Sequence, residues 1–458
     1  MSPLVPIVMF GWIPVILAIF STMRPRRAVL TAYLVAWLFL PQADYSFAGF
    51  PDYTRVTATT AGIFLAALLF DMSRVSSFRF RWFDIPMGIW CIVPFFSSVT
   101  NGLGAYDGIS ETLTQVIMWG LPYLIGRLYF NDLESLRELA LAIVIGGLIY
   151  VPLCLYEIRM SPQLHNIVYG YHAQPFAATA RLGGWRPSVF MQHGLAVGLW
   201  MCLTSLVAVW LWASGAIRRL WGINFGWFVL ALSTTAVLCK SLISIGWLIL
   251  GIGALVAMKW VRFHHLVIVL VLLPPAYMTL RTTELVTTEM IMQPIDLFGE
   301  RGAASIRNRL VSEGPFVEHA MQKPLFGWGG WGRGMPEIGY VDGFKVIPDA
   351  LWTITISGKG LVGLVSLTLS MLLPALLFWR RIPRKTWLTP AHGHVLGLVL
   401  MLIVSMLDFL LNAMLNPIVI VALGATTAYA ATATRAQTVK QPRPVATGDP
   451  TDRVVIPS

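Results

Sequence analysis

Apolar residues in this chain come in long blocks, and the spacing of those blocks sets the first expectation. A membrane-crossing helix needs about 20 predominantly apolar residues. About thirteen stretches approach that length: 4–22, 28–41, 56–71, 85–100, 111–126, 138–156, 191–213, 224–239, 242–258, 265–280, 351–378, 393–411 and 417–433. The second and third are short, so the pattern predicts an all-α polytopic membrane protein of about 12–13 transmembrane helices in one domain, residues 1–435. One long polar interruption breaks the series between the tenth and eleventh blocks, over 281–350. Segments of that length are usually functional or disordered, and Phe316, Phe326, Trp328, Trp331 and Phe344 argue against disorder.

Composition narrows this further. Apolar residues make up 56% of the chain and charged residues 12%, whereas soluble domains sit near 45–50% and 25%. A soluble fold would leave the blocks exposed. The net charge of +11 does not point to nucleic acid, because Arg and Lys gather in short connections as the positive-inside rule expects. Connections holding Arg24/Arg26/Arg27, Arg74/Arg79/Arg81, Arg127/Arg137, Arg218/Arg219, Lys259/Arg262 and Arg380/Arg381/Arg384/Lys385 alternate with poorer ones, and the first set is expected to be cytoplasmic. The first block is followed rather than preceded by basic residues, so it reads as a retained helix and not a cleaved signal. The end of the chain, 436–458, reads as a disordered cytoplasmic tail. All four cysteines fall in apolar blocks without metal-ligand spacing.

This alternation puts two charged segments, 157–192 and 281–350, on the outer side. Both break the positive-inside pattern. Long loops cross despite their charge, and an anionic ligand at the outer face would account for the arginines. In the shorter segment, Arg181 and Arg186 precede Pro187 and His193 at the expected start of a helix. A guanidinium there can grip a phosphate bidentately or anchor to lipid headgroups, and His193 suits a structural hydrogen bond better than catalysis.

In the longer segment, Ser305 to Glu313 has the pattern of an amphipathic helix. Arg307 and Arg309 diverge on it, so at most one faces a common site, and Arg309 with Glu313 has ion-pair spacing. Gly327, Gly329, Gly330, Gly332 and Gly334 allow an anion-binding nest of successive amides. Trp328 and Trp331 suit a sugar face or the membrane interface. Asp349 opens the eleventh block, either as a helix N-cap or as a carboxylate able to take a proton from an attacking hydroxyl. The two roles are compatible.

With these residues in place, the chain resembles the O-antigen ligase and polymerase superfamily of bacterial membrane glycosyltransferases. That family has an outer-loop Arg, a later Pro-Leu-Phe-Gly-x-Gly, and a His-Asn pair eleven residues before Gly-Leu-[apolar]-Gly. Here Arg309 stands fifteen before Pro324-Leu-Phe-Gly-Trp-Gly329, and Asp349 stands eleven before Gly360-Leu-Val-Gly363. Arg186 takes the place of the family's other arginine. The departure is Asp349-Ala350 in place of His-Asn.

The resemblance implies a GT-C-like fold in the bacterial inner membrane, with catalytic loops in the periplasm, and a donor glycan carried on undecaprenyl diphosphate. Arg186 and Arg309, helped by Arg333 or Arg181, would steady the leaving diphosphate, and Asp349 would deprotonate the acceptor. Trp328, Trp331, His193 and Arg307 would line the substrate. No metal or cofactor is implied, since the outer loops hold no Asp-x-Asp pair or His cluster. A glycan flippase and a chain-length regulator are the implied partners. Polymerase is the first reading and ligase to lipid A core the second. A transporter of an anionic lipid-linked glycan and a non-catalytic scaffold are the rival classes.

Overall fold

Helices form where the apolar blocks predict them, because a backbone in hydrocarbon must satisfy its own hydrogen bonds. The structure, a computed structural model, describes residues 2–433 except 48–49, 182, 297–299, 331, 338 and 342, and only the backbone at 294–296, 300–303 and 305. Trp331 and the expected tail at 436–458 lie outside the described residues.

Among the described residues, six helices are long and apolar enough to cross a membrane: Leu4–Thr22, Trp82–Thr100, Leu133–Met160, Gly194–Ala213, Leu242–Trp260 and Leu351–Arg381. Five further apolar helices, such as Gly393–Asp408 and Pro417–Thr432, are shorter. The block 393–411 shows why. Its helix stops at Asp408, where the side chain accepts from Trp247 Nε1 and Asn412 Nδ2 and the chain turns. Polar breaks inside apolar blocks shorten helices that a hydropathy count runs together. Among the described residues, strand is confined to two-residue hairpins.

One connected apolar core runs from Val5 to Ala431. The helices Leu121–Tyr129 and Pro417–Thr432 lie back to back, with Gly126 against the Val421 carbonyl and Gly424 against the Tyr123 carbonyl. A Cβ at either glycine would collide with backbone, so this is small-residue helix packing. The basic connections bind one another at one end of the bundle. Arg26 pairs with Asp132, and Arg137 and Arg74 donate to the Ala216 and Leu128 carbonyls.

The helix Leu351–Arg381 is broken at Gly360, whose φ of +63° is closed to most side chains. The segment 324–334 fills the break. Trp328 N and Gly329 N donate to the carbonyls of Ser357 and Gly358, and Leu361 N and Val362 N donate to those of Pro324 and Leu325. Ser357 Oγ donates to the Gly334 carbonyl. The Pro-Leu-Phe-Gly-Trp-Gly stretch is therefore a clasp that completes an interrupted apolar helix, supplying partners for the backbone groups the break would leave unmet. Of the glycines expected to form an anion nest, Gly327 and Gly329 have their amides already donated, to the carbonyls of Lys323 and Gly358.

Candidate active site

The helix Glu300–Met321 carries Arg309 and is held by a buried ion pair. Arg281 Nε lies 2.6 Å from Glu313 Oε2, and Glu313 also accepts from Tyr277 and Trp352. Burial raises the Glu313 pKa, while the Arg281 charge and these donors work against the rise. Glu313 thus has Arg281 as its ion-pair partner. Arg309 instead places its Nε on the Leu411 carbonyl at 3.0 Å and its Nη2 3.3 Å from Asp349 Oδ2.

Asp349 precedes the helix Leu351–Arg381 but does not cap it. The cap position is Ala350, with no side-chain bond. The first helical amides, Leu351 N and Trp352 N, donate to the carbonyls of Asn412 and Phe409. The turn after Asp408 therefore does the capping, and the Asp349 carboxylate is released to meet Arg309.

Arg186 reaches the same place from the other segment. A buried carboxylate pins its loop: Glu157, fully buried, accepts from the amides of Leu164, Ser188 and Val189. Because this loop is packed, the helix starts at Gly194 rather than near Pro187 or at 191, with His193 as its cap. Gly194 leaves the room that the Arg186 side chain occupies. Arg186 Nη2 donates to the Lys240 carbonyl at 3.0 Å, while its Nε is buried and has no partner. Burial, followed by the Arg181 and Arg309 charges, brings the guanidinium down to about 10, still a cation at neutral pH.

Together these residues enclose a cavity of about 670 Å³. Four cationic side chains line it, Arg181, Arg186, Lys240 and Arg309, against one lining carboxylate among the described residues, Asp349. Asn308 Oδ1 on the same wall is buried without a partner. Leu195, Leu242, Ile243 and Met414 make one side apolar. The lining is thus cationic and apolar at once.

His193 also faces the cavity. Its Nδ1 accepts from Leu195 N at 3.1 Å, which leaves the proton of the neutral ring on Nε2. Burial, and then the charges of Arg186, Arg181 and Arg309, hold its pKa down to about 4. At neutral pH it is a cap and a neutral donor, and it is a weak proton acceptor.

Sequence reading did not assign Lys240 to the site; it falls between the blocks 224–239 and 242–258. It lies at the break between Phe225–Leu238 and Leu242–Trp260, with φ +53°. The signal available was a Lys-Ser pair between two apolar runs each too short to merge.

Other predicted site residues go elsewhere. Arg307 pairs with Glu289 at 3.0 Å, on the divergent side of the helix. Arg333 pairs with Asp107 at 2.9 Å. Trp328 donates to the His319 carbonyl and stacks on the His319 ring at 4.6 Å. Arg333 and Trp328 line a different hollow from the cationic cavity. No protein-family model matches this chain, and no curated protein matches it.

Proposed function

We propose that this protein is a membrane glycosyltransferase that moves a glycan from a polyprenyl diphosphate to an acceptor hydroxyl at the outer face of the bacterial inner membrane, as a polysaccharide polymerase. The observation that carries the reading is the cationic cavity: four cations and an apolar flank around one carboxylate. This matches the donor's diphosphate and lipid chain. The resemblance to O-antigen ligases and polymerases in the Arg309–Gly363 motif points the same way.

In the proposed reaction the acceptor oxygen attacks the anomeric carbon as the bond from that carbon to the diphosphate oxygen breaks. The electron pair leaves with the diphosphate, and the hydroxyl proton goes to Asp349. Arg186 and Arg309 steady the charge growing on the leaving group, which stabilises the transition state more than the bound donor. Arg309 touches Asp349 as well, so it aligns base and leaving group in one site. Transport is the weaker class. Asp408 is bonded to Trp247 and Asn412, and Lys359 sits over the Trp90 ring, so these residues do not form a polar path.

The test is transfer by the purified protein in nanodiscs, supplied with an undecaprenyl-diphosphate-linked repeat unit. Asp349→Asn should lower the rate 10²–10⁴-fold, the usual worth of a general base, in protein that still folds, because Asp349 caps nothing and Arg309 keeps its bond to the Leu411 carbonyl. Asp349→His, which restores the family residue, should recover part of the rate. An Asn variant that polymerises at the normal rate would remove Asp349 from the chemistry.

A further inference from the structure

The break between the helices Phe225–Leu238 and Leu242–Trp260 is made in an unusual way. Lys240 takes the left-handed conformation there, with φ +53°. Helices commonly close on such a residue, but it is usually glycine, which has no Cβ to clash. A lysine in its place carries strain. Strain of this kind persists where surrounding contacts hold the residue, and it gathers at ligand clamps.

Both ends of Lys240 touch one hairpin. Its carbonyl accepts from Arg186 Nη2 at 3.0 Å. Its ammonium lies against Gly184, where a Cβ would collide with Nζ. Gly184 is the residue paired with Arg181 across the strands Ala180–Arg181 and Gly184–Trp185. The Arg186 amide closes the base of this hairpin on the Thr179 carbonyl at 2.8 Å. So short a hairpin is marginal by itself, and Arg181 on it is exposed. What seats the hairpin therefore decides where Arg181 stands. Arg181 and Arg186 are two of the four cations that line the cavity, and one strained residue from a distant helix break holds the chain that carries both. A diphosphate spreads its charge over adjacent phosphoryl groups, so gripping it takes several donors at fixed spacing.

We propose that Lys240 is a positioning residue that sets Arg181 and Arg186 to grip a diphosphate group. That the diphosphate is lipid-linked rests on the transferase reading above, but the grip itself does not. The test titrates full-length protein in nanodiscs with inorganic diphosphate and, separately, with undecaprenyl diphosphate. Lys240→Gly keeps the carbonyl for Arg186, removes the ammonium and relieves the left-handed backbone. It should weaken both ligands about tenfold or more, the usual worth of a hydrogen bond to a charged group, while melting no lower than the wild type. Gly184→Ala puts a methyl group where the ammonium lies, and the flexible end of a lysine can yield without moving the fold. It should cause the same loss although the Lys240 charge is still present. The two changes combined should lose no more than either alone, as expected of groups that act through one contact.

A lower melting temperature in Lys240→Gly would make the lysine a structural helix stop and overturn the proposal. So would wild-type affinity in Gly184→Ala, which would leave only an effect of charge, or additive losses in the double variant. Failure of the wild type to bind either ligand would overturn the proposal and the transferase reading together. If inorganic diphosphate binds and responds to both variants while undecaprenyl diphosphate does not bind, the transferase reading alone fails. If undecaprenyl diphosphate binds and neither variant weakens it, the role given to Lys240 alone fails.

Discussion

The two ends of the segment 281–350 use their polar groups in opposite ways. Around Arg309 the helix backbone is self-satisfied, and it projects a guanidinium and a neighbouring amide into a hollow. Around Pro324–Gly329 the backbone itself is consumed in completing the helix broken at Gly360. Both belong to the motif that carries the family resemblance, yet one half presents side chains to a cavity and the other is architecture. A glycine-rich run beside tryptophans is therefore not by itself a ligand site. Its amides must first be shown to lack other work.

The hardest test of this contrast is at the clasp. Gly360→Ala forces a side chain into φ +63° and against the Leu325 carbonyl. Left-handed strain costs about 1–2 kcal/mol, and overpacking typically adds about 1–3 kcal/mol. Folded protein should be largely lost in a detergent melt, whereas Gly246→Ala, with open space around it, should melt like the wild type. A normal melting temperature for Gly360→Ala would mean that the clasp is not structural.

Next in size is the anchor beneath the Arg309 end. Glu313→Gln leaves buried Arg281 without its charge partner, a change that costs about 3 kcal/mol or more. The helix Glu300–Met321 should loosen, and hydrogen exchange there should rise before exchange in the clasp does. Equal exchange in both regions would show that they fold as one piece.

Conservative arginine changes then separate the two regions by function. Arg309→Lys should cut transfer about 10²-fold or more, because the planar grip is lost although charge remains. Arg333→Lys, paired with Asp107 outside the cationic cavity, should leave the donor KM unchanged. Equal losses in donor KM would place both in one site.

The smallest effect is at His193. Its folded pKa of about 4 lies below the ordinary 6.5, so the unfolded chain takes the proton first. Its contribution to stability is present above 6.5 and is lost as pH falls toward 4. His193→Gln should flatten the melting temperature between those values and leave the shape of the rate profile unchanged from pH 6 to 8. A lost neutral-pH inflection would restore His193 as a base.

Much of this was legible beforehand. Apolar blocks became helices, the pattern from Ser305 became the helix Glu300–Met321, and Arg186 and Arg309 line one cavity. The divergence of Arg307 from Arg309 followed from helical spacing alone. Capping by Asp349 did not hold, because the amides it was expected to meet were taken by the carbonyls of Phe409 and Asn412. Arg333 and Trp328, which the resemblance grouped with Arg309, line a different hollow.

What the sequence determined by itself was whatever depends on local transfer energy and periodicity: which blocks leave water, where the arginines cluster, and which face of a helix carries them. What the tertiary structure decided was which groups meet. Arg186 meets the carbonyl of Lys240 and Arg309 meets that of Leu411, contacts between residues far apart in the chain. Polar groups inside an apolar bundle must find partners, and which ones remain free to face a ligand is known only once all the others have been satisfied.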